Sequence, residues 1–335
     1  MTKKQQNSLI LLLGALAALG PPSIWHLFAG FPAIAEDLQT KIANVSLTLT
    51  SYFIGISVGQ LIYGPMLDRY GRKKPLLFGL ALYMLAAIGC ALAPSVEVLI
   101  GLRLLQALGG CVGMVASRAI IRDRFEAQEI ARVFSSLILV MGVAPIVAPT
   151  VGGYISESFG WRYIFVMLAA FSAILLLLIF RYLSESKIPD REVSLCPLSI
   201  ARNYWAVLEN PELLIYTTAG SLAMAGLFVY IAGSPFVFME LMNFDEKSYG
   251  WIFGLNALGL ISGSQLNRAL LRKRNSESVT NLASLLLLVA GTGAFLGSWL
   301  GISFYCALLL TALRFYVFSR FCKSHIPPQW PWSHL

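Results

Sequence analysis

A charged stretch between two apolar runs is the first place where this sequence concentrates chemistry. The stretch reads Gly64-Pro-Met-Leu-Asp68-Arg69-Tyr-Gly71-Arg72-Lys73, a single carboxylate among several cations. Such a carboxylate can pair with a neighbouring arginine or with the N-terminus of a helix. The two glycines permit a tight turn and a close approach of helices. A basic loop that merely follows membrane topology is the simpler interpretation of the same residues.

Polar and titratable side chains also occur inside apolar runs. Arg103 and Gln106 lie about one helical turn apart, and His26 lies in the first run. A buried arginine is costly, so Arg103 should face a cavity or a partner, unless it snorkels to the interface. His26 could carry a proton, or it could be hydrogen-bonded within the protein beside a packing Trp25. The candidates for a substrate cavity are Trp25, Tyr52, Tyr230 and Asn256, each of which would also suit helix packing.

The elements that position these residues are predicted from apolar length. The 335 residues are 57% hydrophobic and only 13% charged, about half the charged fraction of soluble domains. Runs of about 20 apolar residues, enough to cross a bilayer, occur at 9–29, 44–66, 76–94, 97–118, 133–155, 162–183, 212–235, 248–267, 281–299 and 301–318. The pattern therefore predicts an all-α polytopic membrane protein and excludes a soluble enzyme.

The distribution of lysine and arginine predicts orientation and excludes other partners. Fifteen of these cations lie in the even-numbered connections and three on the opposite side, which predicts a cytoplasmic N-terminus. The net charge of +8 is thus a topology signal rather than a nucleic-acid surface. The five cysteines show no metal-ligand spacing, and no nucleotide-binding motif occurs. We expect no metal, no cofactor and no nucleic-acid partner.

Three motifs together resemble a known family. The Gly64 stretch resembles the signature between helices two and three of the major facilitator superfamily, G-x-x-x-D-R-x-G-R-K. The residues from Arg103 to Gly110 resemble its R-x-x-Q-G motif, and those from Gly142 to Gly153 resemble its antiporter motif. Further stretches at 31–35, 117–123, 160–162, 233–237 and 253–256 resemble the bicyclomycin-resistance (Bcr/CflA) group of drug:proton antiporters.

The resemblance implies a two-half helical bundle in the bacterial inner membrane. We expect a six-helix half at 1–183, a cytoplasmic linker loop at 184–211, an incomplete half of about four helices at 212–320 and an atypical tail at 321–335. The implied function is proton-coupled efflux of a small amphipathic compound by alternating access, performed by a monomer. The implied gate residues are Gly64, Asp68, Arg69, Gly71, Arg72 and Lys73; the implied coupling residues are Arg103, Gln106 and His26; the implied hinge residues are Pro145, Pro149, Gly152 and Gly153.

Two departures from the family leave a second hypothesis open. The family has twelve helices where this sequence shows ten apolar runs, and a frameshift or premature stop near residue 300 would explain the difference. Trp25 stands where the resemblance implies an aspartate that binds protons, and no carboxylate lies in the first run. The alternative is therefore a truncated, transport-inactive relative; a channel or structural membrane protein is a weaker third choice.

Overall fold

The computed structural model is helical throughout its regular elements. It describes residues 3–28, 30–126, 130, 133 and 151–209, followed by the single positions 211, 214, 218, 221, 222, 225, 226, 234, 238, 244, 252, 285, 288, 289 and 292. The chain divides into two compact units, Met1–Asn203 and Tyr204–Leu335. The description below concerns the first unit, together with a short helix that crosses this boundary.

The described residues of this part of the chain form eight helices and one further helical segment. They are α1 (Lys3–Ala17), α2 (Gly20–Phe28), α3 (Phe31–Asp37), α4 (Ile42–Tyr70), α5 (Lys73–Ala91), α6 (Val96–Arg124), the segment 151–159, α7 (Arg162–Tyr182) and α8 (Pro197–Leu208). By length and composition, five stretches of the described residues can cross a membrane: Gln6–Ile24, α4, α5, α6 and α7. They coincide with the predicted spans at 9–29, 44–66, 76–94, 97–118 and 162–183, whereas most of 133–155 and the later spans lie outside the described residues.

The first span is broken, although the sequence predicts one continuous run. α1 ends at Ala17, and α2 begins at Gly20 with prolines at its second and third positions. Pro21 and Pro22 have no N–H to donate to the carbonyls four residues earlier, so the ladder of α1 cannot continue through them. Both are tolerated in the first turn of α2, where N–H groups have no partner within the helix.

α4 and α6 extend further than their apolar runs. Each has 29 residues, or about 44 Å of helix, whereas the hydrocarbon core is about 30 Å thick. An apolar run measures only the part of a helix inside hydrocarbon, while the arginines beyond it, Arg69, Arg122 and Arg124, have good helix propensity. Asp68 and Asp123 consequently lie on the last turns of these two long helices.

Small residues bring the helices into backbone contact around α6. α6 packs along both α4 and α5, and α5 packs in turn along α7. A Cβ added to Gly109 would lie 2.6 Å from the carbonyl oxygen of Gly79 and 2.5 Å from the backbone nitrogen of Tyr83. A Cβ added to Gly55 of α4 would lie 2.6 Å from the carbonyl oxygen of Leu104. Such close packing is the usual basis of helix association in membranes, and it places Tyr83 directly against α6.

The segment after α7 contains a helix where the sequence predicts a loop. α8 (Pro197–Leu208) lies within the predicted linker, and α3 likewise follows the first span without having been predicted. Both are too short to register as membrane spans. A proline in the first turn of each, Pro32 and Pro197, is the sequence signal that marks these starts.

Candidate functional site

Four charged side chains meet where α4 and α6 end and α5 begins. Arg72 Nε donates to Asp123 Oδ2 at 2.9 Å, and Arg72 Nη1 donates to Asp68 Oδ1 at 3.0 Å. Lys187 Nζ donates to the same Asp68 oxygen at 2.8 Å. Burial by itself would lower the pKa of Arg72, but the carboxylates of Asp123 and Asp68 outweigh it and raise that pKa. We refer to Asp68, Arg72, Asp123, Lys187 and Glu185 as the gate cluster.

Glu185 completes the gate cluster by capping α5. Its carboxylate accepts hydrogen bonds from the backbone N–H groups of Arg72 at 2.6 Å and Lys73 at 3.1 Å. An anion is favoured there because the first N–H groups of a helix point outward without partners. Gly71 has φ +82°, and a Cβ added to it would lie 2.7 Å from Glu185 Oε2. Only glycine both adopts this turn readily and leaves room for the carboxylate.

The start of the linker is tied to the same end of the bundle by further hydrogen bonds. Arg124 Nη2 donates to Ser184 Oγ at 2.7 Å and to the carbonyl oxygen of Glu185 at 2.8 Å. Ser186 Oγ donates to Asp123 Oδ2 at 3.1 Å, and Arg69 Nη1 donates to the carbonyl oxygen of Val193 at 2.7 Å. Residues 184–193 therefore lie across the ends of α4, α5 and α6, and we refer to them as the strap.

The structure brings most of the predicted gate residues together and adds partners that sequence reasoning missed. Asp68, Arg69, Gly71, Arg72 and Lys73 all make the contacts described, whereas Gly64 lies inside α4. The missed partners are Asp123, Glu185 and Lys187. Asp123 is detectable as an acid within a basic run, but nothing in the sequence relates the two linker residues to the Gly64 motif.

Arg103 is the centre of a second cluster, inside the bundle. It is completely buried, so it does not snorkel. Its Nη1 donates to Gln106 Oε1 at 2.7 Å and its Nη2 donates to the carbonyl oxygen of Ser23 at 2.9 Å. Its guanidinium carbon lies 4.0 Å from the centroid of the Tyr52 ring, a cation–π contact. We refer to Ser23, Tyr52, Tyr83, Arg103 and Gln106 as the interior cluster.

Ser23 and Tyr83 join the interior cluster to α2 and α5. Ser23 Oγ donates to the carbonyl oxygen of Leu19 at 2.9 Å and lies 2.5 Å from the Tyr83 hydroxyl. Since the serine proton is used on Leu19, the tyrosine donates to Ser23 Oγ. The cluster therefore couples α2, α4, α5 and α6 through polar contacts at one level of the bundle.

Two donors of the interior cluster have no hydrogen-bond partner among the described residues. Arg103 Nε and Gln106 Nε2 are buried and unbonded, and no carboxylate of the described residues forms an ion pair with Arg103. An unpaired buried donor costs about 1–3 kcal/mol. Arginine stays protonated in proteins, so a full positive charge is held here by an aromatic face and by neutral oxygens.

His26 lies close along the chain to this cluster but is not bonded to Arg103. Its Nδ1 lies 2.7 Å from the carbonyl oxygen of Pro22, and because a carbonyl only accepts, Nδ1 carries the hydrogen. Arg103 instead contacts the backbone of Ser23, about one turn before His26. A Cβ added to Gly152 would lie 2.5 Å from the carbonyl oxygen of His26, so the segment 151–159 packs backbone to backbone on α2.

Part of the predicted site lies outside the described residues. These positions are Pro145, Pro149, Tyr230 and Asn256, together with the side chain of Trp25. Gly153 lies beside Gly152 in the helical segment 151–159 and is half-buried. A cleft of about 240 Å³ opens between α4 and α6, and it is lined by Gln60, Met114, Val115, Arg118, Ala119 and Arg122. Tyr52, buried beside Arg103, does not line this cleft.

A third charge contact lies at the opposite end of the bundle. Asp37, at the end of α3, forms an ion pair with Arg162 and accepts a hydrogen bond from Trp161 Nε1 at 3.1 Å. The hydrogen bond from Arg162 is the main reason why the pKa of the Asp37 carboxyl lies below its ordinary value. This contact ties the short helix α3 to the start of α7.

The gate and interior clusters join helices through contacts that can form or break. Among the described residues, no group of side chains has the geometry of a metal centre. Charge pairs at one end of a bundle can make or break as helices move. A buried cation can respond to a charge that enters the bundle. This arrangement suits conformational change rather than bond chemistry.

Comparison with known proteins relates these features to a family of transporters. The family model described as Major Facilitator Superfamily matches residues 10–324. This match extends beyond residue 300, where the motifs in the sequence stop resembling the family. The uncharacterized MFS-type transporter YdgK of Bacillus subtilis is 36% identical over 265 residues, covering 78% of this chain and 66% of that protein. The bicyclomycin resistance protein homolog of Haemophilus influenzae is 31% identical over 296 residues, covering 88% of this chain and 74% of that protein.

Solved structures show the same fold. The xylose transporter XylE from E. coli, in a partially occluded inward-open conformation, is 15% identical, with a TM-score of 0.71, covering 95% of this chain and 85% of that one. The chain spans about two thirds of the length of YdgK. With its apolar helices and its matching family model, the chain belongs to the Major Facilitator Superfamily of multi-pass membrane transporters and is not an enzyme.

Proposed function

We propose that this chain exports a small amphipathic compound from the bacterial cytoplasm in exchange for protons, by alternating access in the inner membrane. Antibiotics are the class of compound that the name of the Haemophilus relative suggests. The observation that carries the proposal is the gate cluster, in which Arg72 joins Asp68 on α4 to Asp123 on α6. A transporter needs such a latch because the helix ends must separate on one side in each cycle.

The proposed orientation places the gate cluster on the cytoplasmic side and Asp37 on the outer side. It rests on the excess of lysine and arginine in the loops that would face the cytoplasm. The gate cluster closes the cytoplasmic end while its ion pairs are formed. Opening separates α4 and α6, breaks the pairing through Arg72 and exposes the carboxylates to water, which compensates for part of the lost pairing.

The interior cluster is the proposed site where substrate and proton affect one another. Arg103 is buried within the bundle and contacts α2 and α4 through Ser23 and Tyr52. A change of charge beside Arg103 would therefore alter contacts among several helices. His26, whose ring is hydrogen-bonded to Pro22, is the nearby titratable group in the proposal. Gly152 and Gly153, with Pro145 and Pro149, are the proposed hinge.

The second candidate is a family member that inserts into the membrane without transporting. The residue that favours it is Trp25, which stands where the resemblance to the Bcr/CflA group implies a proton-binding aspartate. Without a titratable carboxylate in the first span, proton coupling must depend on another group.

Efflux from cells that express the chain separates these two candidates. Cells are loaded with neutral Nile red, cationic ethidium and anionic anilinonaphthalene sulfonate, and dye loss is followed with and without a proton uncoupler. Uncoupler-sensitive loss of any of the three, beyond that of cells with an empty vector, supports the transporter. No loss of any dye from well-expressed protein supports the transport-inactive candidate.

Two variants make the assay specific to the proposed site. Asp68→Asn removes the carboxylate that bonds Arg72 and Lys187, and should abolish efflux while leaving expression in place. Arg181→Gln removes an exposed cation at the end of α7 and should leave efflux unchanged. Equal efflux by the wild type and Asp68→Asn would contradict the role of the gate cluster.

A further inference from the structure

The membrane interior of this chain carries a cation without a matching acid. Of the 17 aspartates and glutamates, only Glu97 and Glu212 fall within the predicted apolar runs, each at the first residue of its run. Glu97 is exposed at the start of α6. Arg103 lies two turns further along the same helix and is completely buried. No carboxylate of the described residues pairs with Arg103, so an incoming group can supply the balancing charge.

The hydrogen bonding around Arg103 indicates which kind of group is missing. A guanidinium has five N–H donors, and its hydrogen bonds run from Nη1 to Gln106 and from Nη2 to Ser23. Arg103 Nε and Gln106 Nε2 are unpaired donors, about one helical turn apart on α6. Two donors without an acceptor, beside an unbalanced positive charge, fit a group that has oxygen acceptors and a negative charge.

The surroundings of the guanidinium restrict the direction from which such a group can approach. The Tyr52 ring covers the guanidinium at 4.0 Å, and the Phe165 ring lies 5.8 Å from the same carbon. Aromatic rings interact with the flat face of a guanidinium and leave its N–H edge for hydrogen bonds. The edge that includes Nε is the part left for a planar, two-oxygen acceptor such as a carboxylate.

We propose that Arg103 and Gln106 bind the carboxylate of the transported compound, so that the chain carries amphipathic organic acids. This inference rests on the proposed function and narrows its substrate class. The aromatic rings beside Arg103 suit the apolar body of such a compound. The carboxylate supplies a negative charge that the apolar runs of this chain lack beyond their first residues. It also brings into the bundle a group that can itself exchange protons.

The described conformation is the closed state of this site. Arg103 and Gln106 have no exposed surface, and Tyr52 is 1% exposed. Entry of the compound therefore requires another conformation, in which the helices around the interior cluster have separated. Because binding compensates the unpaired donors, it should stabilise the folded protein.

The test uses three probes that share one phenylbutyl skeleton and differ in head group. They are 4-phenylbutyrate, an anion, 4-phenylbutylamine, a cation, and the neutral 4-phenylbutanamide. The full chain is purified in detergent, and its Tm is measured against the concentration of each probe. A ligand that binds only the folded state raises the Tm progressively with its concentration. We expect a rise with phenylbutyrate and none with the amine.

Three variants assign the binding to the proposed residues. Arg103→Lys keeps the charge but loses the planar fork, and it should weaken phenylbutyrate binding by about tenfold or more. Gln106→Glu places an internal carboxylate beside Arg103; it should raise the Tm without any probe and abolish the response to phenylbutyrate. Arg181→Gln is the matched control, an arginine change at an exposed position, and it should respond as the wild type does.

The outcomes separate this inference from the proposed function. Three results would overturn the inference: equal responses to the acid and the amine, no response to any probe, or a response that survives in Gln106→Glu. If no probe gives a response, water is the remaining partner for the two donors. Binding is measured without a proton gradient. Phenylbutyrate binding without cellular efflux would therefore contradict only the proposed transport. Dye efflux by a chain whose Tm does not change with phenylbutyrate would contradict only the proposed carboxylate site.

Discussion

The gate cluster and the interior cluster differ in how their charged side chains are paired. In the gate cluster, Arg72 has two carboxylates, and Asp68 has two cations, Arg72 and Lys187. In the interior cluster, Arg103 has an amide oxygen, a backbone carbonyl and an aromatic ring. The gate cluster is half in contact with solvent, since the side chains of Asp68 and Lys187 are 40% and 38% exposed, whereas Arg103 is fully buried.

This difference is the one we expect between the proposed latch and the proposed binding site. Charge pairs near water can open at low cost, because water replaces each lost partner. A buried cation with unpaired donors cannot relax in this way, and it stays available for an incoming group. Completeness of pairing, rather than the number of charges, therefore distinguishes the two clusters. Three predictions test this distinction and a fourth concerns the contact at Asp37, in order of decreasing expected effect.

Removing Arg72 should disrupt the gate cluster most strongly. Arg72→Ala leaves Asp123, whose side chain is only 19% exposed, without its guanidinium partner. We expect a loss of about 2–3 kcal/mol in the free energy of unfolding, below the range for fully buried pairs because Asp68 stays partly solvated. The measurement is SDS-induced unfolding in mixed micelles. Arg69→Ala, which removes one bond to a backbone carbonyl, should cost less than about 1 kcal/mol, and equal losses would contradict the central place of Arg72.

Removing the ring over Arg103 should destabilise the interior cluster to a similar or slightly smaller extent. Tyr52→Leu loses the cation–π contact, which is worth about 2 kcal/mol when the groups are desolvated. Tyr52→Phe keeps the ring and should lose less than about 1 kcal/mol. The same unfolding assay compares both variants. If Tyr52→Phe were as damaging as Tyr52→Leu, the hydroxyl rather than the ring would hold Arg103.

Neutralising Glu185 should weaken the strap by a smaller amount. Glu185→Gln keeps the shape of the side chain but removes the negative charge at the start of α5, worth about 0.3–1 kcal/mol. The loss should shrink at high salt, as expected of a partly exposed charge. Glu192→Gln, an exposed carboxylate of the same linker, should leave stability unchanged. A salt-independent loss would indicate that hydrogen-bond geometry, not charge, makes the cap.

The contact at Asp37 should give the smallest effect and a defined pH dependence. Its folded-state pKa is lowered from the ordinary 3.8, mainly by Arg162, so its contribution is present above that value and disappears as the pH falls through the folded pKa. Because both side chains are well exposed, the contribution is less than about 1 kcal/mol. Unfolding followed from pH 6 downward should show this loss in the wild type and not in Asp37→Asn. If the wild type and Asp37→Asn lost stability identically as the pH falls, the Asp37–Arg162 ion pair would not be the cause of the loss.

Several features of the fold and of the clusters follow from the sequence by direct physical argument. Apolar length locates α4, α5, α6 and α7, because hydrocarbon thickness sets a minimum run of apolar residues. The rarity of charge inside such runs is enough to mark Arg103 as a functional candidate. The break before Pro21 and the extra turns of α4 and α6 escape this reasoning, since a hydropathy window averages over helix termini and cannot register a missing donor.

The partners of the charged residues could not be predicted in the same way. Glu185 lies 113 residues from Arg72, and Ser23 lies 80 residues from Arg103. Nothing local in either segment specifies these pairs. The hydrogen bond of His26 to Pro22 is local, at a separation of four residues, and helix geometry accounts for it.

The sequence by itself determined that this chain is a membrane protein, where the membrane-spanning stretches of the described residues lie and which family the chain belongs to, because these depend on composition and on the order of neighbouring residues. The tertiary structure decided how each charge is balanced. It placed the strap on Asp68 and Arg72, and it left Arg103 with a ring, two neutral oxygens and two unpaired donors in its cluster. Balance between charges depends on distances through space, and only helix packing sets those distances.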